Sequence, residues 1–183
     1  MRLFDRDNRF NLANLATFTN ISLGLIALYF IHKGNFFVAI ILAWIAGALD
    51  ILDGKIARKY DLSTEFGVQL DSFADFLSFV IMPSFLLFYA LDKGSLFEEI
   101  VIGGVFIYYV ISGLRRLIEF NLKVEAGSVE KYFTGVPTPL GAILLWILYL
   151  LYSYRIISSP LAIAVFVAVI GWSMNSKIKI PHP

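Results

Sequence analysis

The sequence has no cysteine among its 183 residues, and its formal net charge is only +1. The absence of cysteine excludes disulfide bonds and thiolate metal sites, so carboxylates are the ligands left for a metal ion. A nearly neutral chain gives no reason to expect a nucleic acid partner. No cleavable signal peptide is predicted, because the first seven residues carry acidic charge and no small-residue cleavage site.

The composition of the chain is dominated by apolar residues. Hydrophobic residues make up 58% of the chain and charged residues 16%, and the mean hydropathy is +0.76. This composition is typical of a polytopic membrane protein, and the length suits one domain covering residues 1–183. The hydropathy pattern predicts an all-α fold with six transmembrane helices, at residues 13–32, 35–58, 64–91, 97–121, 137–154 and 159–176.

The charged residues between these helices predict the orientation in the membrane. Residues 2–12 alternate charged and apolar side chains, which predicts a short amphipathic helix on the membrane surface before the first span. With six spans both termini lie on one side, and that side carries every Lys and Arg except Lys33, Lys93 and Arg155. The positive-inside rule therefore places both termini on the cytoplasmic side of the cell membrane.

Four aspartates interrupt the second and third predicted helices: Asp50, Asp53, Asp71 and Asp75. Each ionised Asp inside a membrane helix costs about 2.5–3.5 kcal/mol unless something compensates its charge. Residues three or four apart share a helix face, so Asp50 lies beside Asp53, and Asp71 beside Asp75. Two antiparallel helices would bring the four carboxylates together near the cytoplasmic side, as a ligand set for Mg²⁺ or Mn²⁺.

Small residues and one arginine accompany the carboxylates. Gly54, Ala57 and Gly67 leave gaps through which a ligand can approach the helix backbone, and Arg58 can clamp a phosphate. A metal, a gap and an arginine together predict a diphosphate site at a membrane surface. For attack by an alcohol, Asp75 is the best candidate general base, because it lies deepest in its helix.

The spacing D-x2-D-G-x2-A-R-x8-G-x3-D-x3-D resembles the motif of the CDP-alcohol phosphatidyltransferase family, and every fixed position is present. The resemblance extends over nearly the whole chain. It implies metal-dependent transfer of a phosphatidyl group from a CDP-lipid to a hydroxyl group, with release of CMP, by an enzyme expected to be a homodimer. By analogy, Asp50, Asp53 and Asp71 would bind one divalent ion, and Asp75 would help bind a second or act as the base.

The resemblance also implies where the substrates bind. The residues expected on the CDP-lipid side are Gly54, Ala57 and Gly67 near the cytidine and Arg58 near the phosphates. Four stretches resemble the branch of the family that uses serine as the acceptor: residues 70–75, 116–121, 135–139 and 176–181. In that branch Arg116 is expected to bind the serine carboxylate as a planar fork, and Asn121 to donate a hydrogen bond.

Several alternatives remain open at this stage. The acceptor can instead be glycerol phosphate or inositol phosphate, and the lipid donor can be CDP-diacylglycerol or CDP-archaeol. A divalent-cation transporter would explain the carboxylates but not the recurrence of Gly54, Ala57 and Arg58 at the motif positions. An intramembrane prenyltransferase also binds a diphosphate through Asp-rich helices, but it lacks the Asp-Gly-x-x-Ala-Arg core. We expect the phosphatidyltransferase with serine as acceptor.

Overall fold

The computed structural model of the protein describes residues 3–125, 132–177 and 179–181. Within these residues the fold is helical apart from one short strand pair. The helices are α1 Leu12–His32, α2 Phe36–Lys59, α3 Glu65–Asp75, α4 Met82–Ala90, α5 Leu96–Glu125, α6 Thr138–Ser153 and α7 Pro160–Met174. They cover all six predicted stretches, since α3 and α4 are joined by a π-helical segment, Phe76–Ile81, into one helical stretch over residues 65–90.

The first of two compact units, Met1–Ser78, contains α1, α2 and α3. Each of these helices begins at a side chain that accepts a hydrogen bond from its first turn, namely Asn11 for α1, Asn35 for α2 and Thr64 for α3. Such caps satisfy backbone N–H groups that have no partner within the helix. The turn over residues 60–64 is short, so it leads the chain from the end of α2 directly into α3 and joins the two halves of the aspartate motif.

The buried faces of α1 and α2 are lined by small residues, including Ala13, Ala27, Ala39, Ala43 and Ala46. Small side chains let helix backbones approach closely, and helix association inside a membrane depends on such packing. Close approach of α1 to α2 matters for the site, because it brings polar side chains of α1 within reach of the aspartates of α2.

The N-terminal segment differs from the prediction of a surface helix. Its described part, residues 3–11, forms turns. The Asp5 carboxylate accepts a hydrogen bond from the Asp7 N–H, and the Asn8 side chain accepts one from the Phe10 N–H. These local bonds compete with helical ones, which explains why an alternating pattern of charged and apolar residues does not form a helix here.

The second unit, Phe79–Pro183, contains α4 to α7 and a feature that the all-α prediction did not include. Strands β1 Tyr132–Thr134 and β2 Lys179–Pro181 pair antiparallel in the described part of this unit. Gly135 follows β1 with a positive φ of 83°, and the next residue, Val136, donates its N–H to the Ser173 carbonyl at the end of α7. The chain thus turns sharply between β1 and α6.

Helix length and composition identify the protein as a membrane protein. Among the described helices, four stretches have the length and apolar character of membrane spans: α1, α2, residues 65–90 and residues 96–122. Helices α6 and α7 are apolar but have only 16 and 15 residues. At 1.5 Å per residue they extend about 24 Å and 22 Å, less than the roughly 30 Å of a bilayer core. Two of the six predicted spans are therefore shorter than a bilayer core.

Gly135 provides a test of this fold. A Cβ atom at this position would overlap the Met174 carbonyl oxygen, and the positive φ is itself unfavourable for other residues. We expect Gly135→Ala to lower the free energy of unfolding by about 1–3 kcal/mol. Thermal unfolding of the purified protein in detergent measures the change.

The matched control is Gly104→Ala in α5, where a Cβ meets nothing within 4 Å and the backbone is helical. This change should be neutral, or stabilising by up to about 1 kcal/mol. Equal unfolding temperatures for the two variants would contradict the described turn at Gly135.

Candidate functional site

Three of the predicted carboxylates converge in the first unit. One oxygen from each of Asp50, Asp53 and Asp71 lies within 4.8 Å of the others. Asp50 and Asp53 come from one face of α2, and Asp71 comes from α3. Their environments differ, because Asp53 is buried with 4% exposure, Asp50 is half-buried and Asp71 is exposed. The cluster therefore extends from the helix interface to the protein surface.

Asp75, the fourth predicted carboxylate, lies one turn beyond Asp71 and within hydrogen-bonding reach of Asp50. It is not one of the three residues whose oxygens converge most tightly. Two carboxylates this close repel each other unless a proton or a cation lies between them. The arrangement thus places Asp75 at the edge of the cluster, next to one of its members.

Helix α1 supplies hydrogen bonds to the cluster. The Thr17 hydroxyl donates to Asp53 Oδ2 at 2.7 Å, and the Asn20 amide donates to Asp50 Oδ1 at 3.1 Å. Both donors are buried, at 4% and 0% exposure. Each bond engages one oxygen of its carboxylate, and a carboxylate oxygen can accept more than one interaction.

These carboxylates fit a hard divalent cation. Mg²⁺ and Mn²⁺ prefer oxygen ligands, and Mg²⁺ holds them at 2.0–2.1 Å, so two oxygens on opposite sides of it are about 4.2 Å apart. The three carboxylate oxygens lie within 4.8 Å of one another, a spacing close to that value. Asp50, Asp53 and Asp71 are the residues that would hold the ion.

A cavity of about 190 Å³ adjoins the cluster within the first unit. It is lined by Asp53 and Asp71 together with all four residues predicted for the CDP-lipid side: Gly54, Ala57, Arg58 and Gly67. The structure therefore brings the two halves of the motif around one space, as the spacing predicted.

The two glycines contribute space at two different places. At Gly54 a Cβ atom would lie 3.5 Å from Arg58 Nη1, so the missing side chain leaves room for the guanidinium one turn later. At Gly67 a Cβ atom would lie 3.0 Å from Asn14 Oδ1, so α3 approaches α1 closely there. A larger residue at position 67 would reduce the cavity from its α3 wall.

The residues predicted for serine lie in the second unit, on α5. Arg116 is buried with 5% exposure, whereas its neighbour Arg115 is exposed and forms an ion pair with Glu119 at 2.8 Å. An exposed, paired arginine suits anchoring at the membrane surface, and a buried one requires another explanation. Asn121 is half-buried, and five residues of helix place it about 140° around α5 from Arg116, so the two do not share a face.

Sequence reasoning assigned no role to Asn14, Thr17 or Asn20, although the structure places all three beside the carboxylates or the cavity. A signal was present, because these polar residues recur every three positions along a predicted membrane helix. Buried polar residues in membrane helices usually have functional partners.

Comparison with known proteins identifies the motif independently. The model of the CDP-alcohol phosphatidyltransferase family matches residues 10–174. That range extends over most of both compact units and includes the whole aspartate motif.

Individual relatives cover most of the chain. A CDP-diacylglycerol–serine O-phosphatidyltransferase of Bacillus subtilis is 31% identical over 168 residues, which is 92% of this chain and 88% of that protein. One of the same name from Methanocaldococcus jannaschii is 33% identical over 170 residues, 93% of this chain and 73% of that protein. An archaetidylserine synthase of Methanothermobacter thermautotrophicus is 31% identical over 174 residues, 93% of this chain and 70% of that protein.

Proposed function

This chain belongs to the CDP-alcohol phosphatidyltransferase family, and we propose that it transfers a phosphatidyl group from CDP-diacylglycerol or CDP-archaeol to the hydroxyl of L-serine. The products are the phosphatidylserine lipid and CMP. The observation that carries this proposal is the shared cavity, where Asp53, Gly54, Arg58, Gly67 and Asp71 meet. The names of the similar proteins support serine as the acceptor.

The carboxylates and Arg58 are assigned to binding the diphosphate of the CDP-lipid. A divalent ion held by Asp50, Asp53 and Asp71 supplies neutralisation of the phosphate oxygens and stabilisation of the leaving CMP. The Arg58 guanidinium, at the cavity wall, can donate two parallel hydrogen bonds to a phosphate. Gly54, Ala57 and Gly67 leave the space in which the cytidine lies.

We assign Asp75 as the general base, which accepts the proton of the serine hydroxyl. The serine hydroxyl oxygen attacks the phosphorus of the phosphatidyl group, the bond from this phosphorus to CMP breaks, and the hydroxyl proton passes to the Asp75 carboxylate. A base must lie within hydrogen-bonding distance of that hydroxyl, and Asp75 stands at the edge of the cluster rather than in its centre. No cysteine exists for a thiolate nucleophile, and direct displacement needs no covalent intermediate.

Arg116 is the residue we assign to the serine carboxylate. Its burial supports this role, because a hydrogen bond from a guanidinium to a carboxylate is stronger where water is excluded, whereas Arg115 is exposed and paired with Glu119. Asn121 stays a prediction, since its position on a different face of α5 gives no further support.

We further propose that the chain crosses the membrane six times, with both termini in the cytoplasm. The whole chain acts as one membrane domain and assembles as a homodimer. The short helices α6 and α7 would cross where the bilayer thins or where flanking residues extend them. The distribution of Lys and Arg supports the orientation, which places the aspartates where cytoplasmic CDP-lipid head groups and serine meet.

The direct test is CMP release by the purified protein with a CDP-lipid, Mn²⁺ or Mg²⁺, and a panel of acceptors. We expect release with L-serine, no release in EDTA, and recovery when Mn²⁺ or Mg²⁺ is added back. CDP-diacylglycerol and CDP-archaeol are compared as donors. Release with glycerol phosphate or inositol phosphate and none with serine would overturn the acceptor assignment, and turnover that persists in EDTA would overturn the metal dependence.

Asp75→Asn tests the base. The amide cannot accept the serine proton, so we expect the rate to fall on the order of 10²–10⁴-fold while affinity for the CDP-lipid stays within a few-fold. Single-turnover rates and CDP-lipid binding are measured on the same preparation. If CDP-lipid binding is lost together with turnover, Asp75 serves mainly as a metal ligand.

Arg116→Lys tests the serine site, because an ammonium cannot reproduce the planar fork of the guanidinium. We expect the KM for serine to rise about tenfold or more, with little change in the KM for the CDP-lipid. Arg115→Lys is the matched control on the adjacent, exposed position and should leave both KM values unchanged. Equal effects of the two substitutions on the serine KM would contradict the assignment.

A further inference from the structure

A chain of two hydrogen bonds leads from the π-helical segment Phe76–Ile81 through α1 to the carboxylate cluster. The Ser78 hydroxyl donates to Asn20 Oδ1 at 2.8 Å, and Asn20 Nδ2 donates to Asp50 Oδ1 at 3.1 Å. Ser78 is 3% exposed and Asn20 is 0% exposed, so both bonds are shielded from water. We refer to Ser78, Asn20 and Asp50 as the relay.

The direction of the relay follows from the chemistry of its members. An ionised carboxylate only accepts hydrogen bonds, so the atom of Asn20 that faces Asp50 must be the amide nitrogen. The amide oxygen then faces Ser78, which must donate its single hydroxyl proton to it. Asp50 therefore determines which way the Asn20 amide points, and Ser78 holds the amide in that orientation by donating to its oxygen. The Asn20 amide in turn holds one oxygen of the Asp50 carboxylate.

This use of a serine differs from that of Ser22 and Thr19 and resembles that of Thr17, which donates across to Asp53. The Ser22 hydroxyl donates to the Phe18 carbonyl and the Thr19 hydroxyl to the Leu15 carbonyl, each at 2.8 Å and each within α1. Bonds of that kind are the usual choice for a helical serine or threonine. Ser78 instead bonds across to another helix.

The local packing also supports the relay. Gly24 lies one turn after Asn20, and a Cβ atom there would come within 2.9 Å of the Leu77 side chain. The absence of a side chain lets α1 approach the segment that carries Ser78. Ser78 itself lies in the π-helical segment Phe76–Ile81 that follows α3.

We propose that Asn20 and Ser78 are positioning residues, which hold the Asp50 carboxylate with one oxygen turned toward the divalent ion. This inference rests on the proposed function for its metal, and it adds two residues that lie outside the family motif. Hydrogen-bond partners of metal ligands typically change metal affinity or activity by 10–100-fold when they are removed.

The test measures Mn²⁺ affinity of the purified full-length protein by electron paramagnetic resonance, with serine-dependent CMP release recorded in parallel. We expect Asn20→Leu and Ser78→Ala each to weaken Mn²⁺ binding by about tenfold or more. Ser78→Thr keeps the hydroxyl and should stay close to the unchanged protein. Ser22→Ala is the matched control, because it removes a helical hydroxyl that bonds only to α1 backbone.

The double variant distinguishes a relay, in which Ser78 acts through Asn20, from two substitutions that act independently on the structure. Because Ser78 acts only through Asn20, Asn20→Leu combined with Ser78→Ala should bind Mn²⁺ no more weakly than Asn20→Leu alone. Effects that multiply, or unchanged Mn²⁺ affinity in Ser78→Ala, would overturn the proposal. If Asn20→Leu does not fold, the comparison of Ser78→Ala with Ser78→Thr decides. An unchanged protein that binds Mn²⁺ but releases no CMP with serine would overturn the proposed function alone.

Discussion

The structure depends on one constraint: the negative charge of carboxylates inside apolar helices has to be balanced by hydrogen-bond donors or a cation at the same place. A single ionised aspartate in the middle of a membrane helix costs several kcal/mol, and this chain places four of them on two neighbouring helices. The three that converge most closely, Asp50, Asp53 and Asp71, would repel one another strongly without a cation. A divalent ion held by these carboxylates would offset that repulsion, so the ion proposed for the reaction would also stabilise the folded first unit.

Many features of the first unit follow from this constraint. Small residues let α1 approach α2, and the approach brings Thr17 and Asn20 into hydrogen-bonding distance of Asp53 and Asp50. A site in water could leave these oxygens to the solvent. A buried site needs donors from the protein, and each must be oriented so that a carboxylate oxygen remains free for the cation.

The sequence predicted the helices and the motif geometry because both depend on local periodicity. Residue spacing of three and four determines which aspartates share a face, and runs of apolar residues determine where helices lie. The N-terminal turns and the pairing of β1 with β2 depend instead on specific hydrogen bonds, which periodicity does not encode. The relay is a further case, since no spacing rule connects Ser78 to Asn20, which lies 58 residues earlier.

The position of the reacting atoms explains how one motif can serve both CDP-diacylglycerol and CDP-archaeol, whose hydrocarbon chains differ. In the proposed reaction all bonds that form or break lie between the lipid phosphate, CMP and the acceptor hydroxyl, and residues of the motif line the cavity beside the carboxylates. Nothing in the carboxylate cluster distinguishes how the hydrocarbon chains are attached to their glycerol. Discrimination between acceptors, by contrast, requires groups outside the motif, because a carboxylate, an ammonium and a phosphate differ in charge and shape. In the function we propose, the buried Arg116 has this part, because a single guanidinium suits one carboxylate better than a doubly charged phosphate.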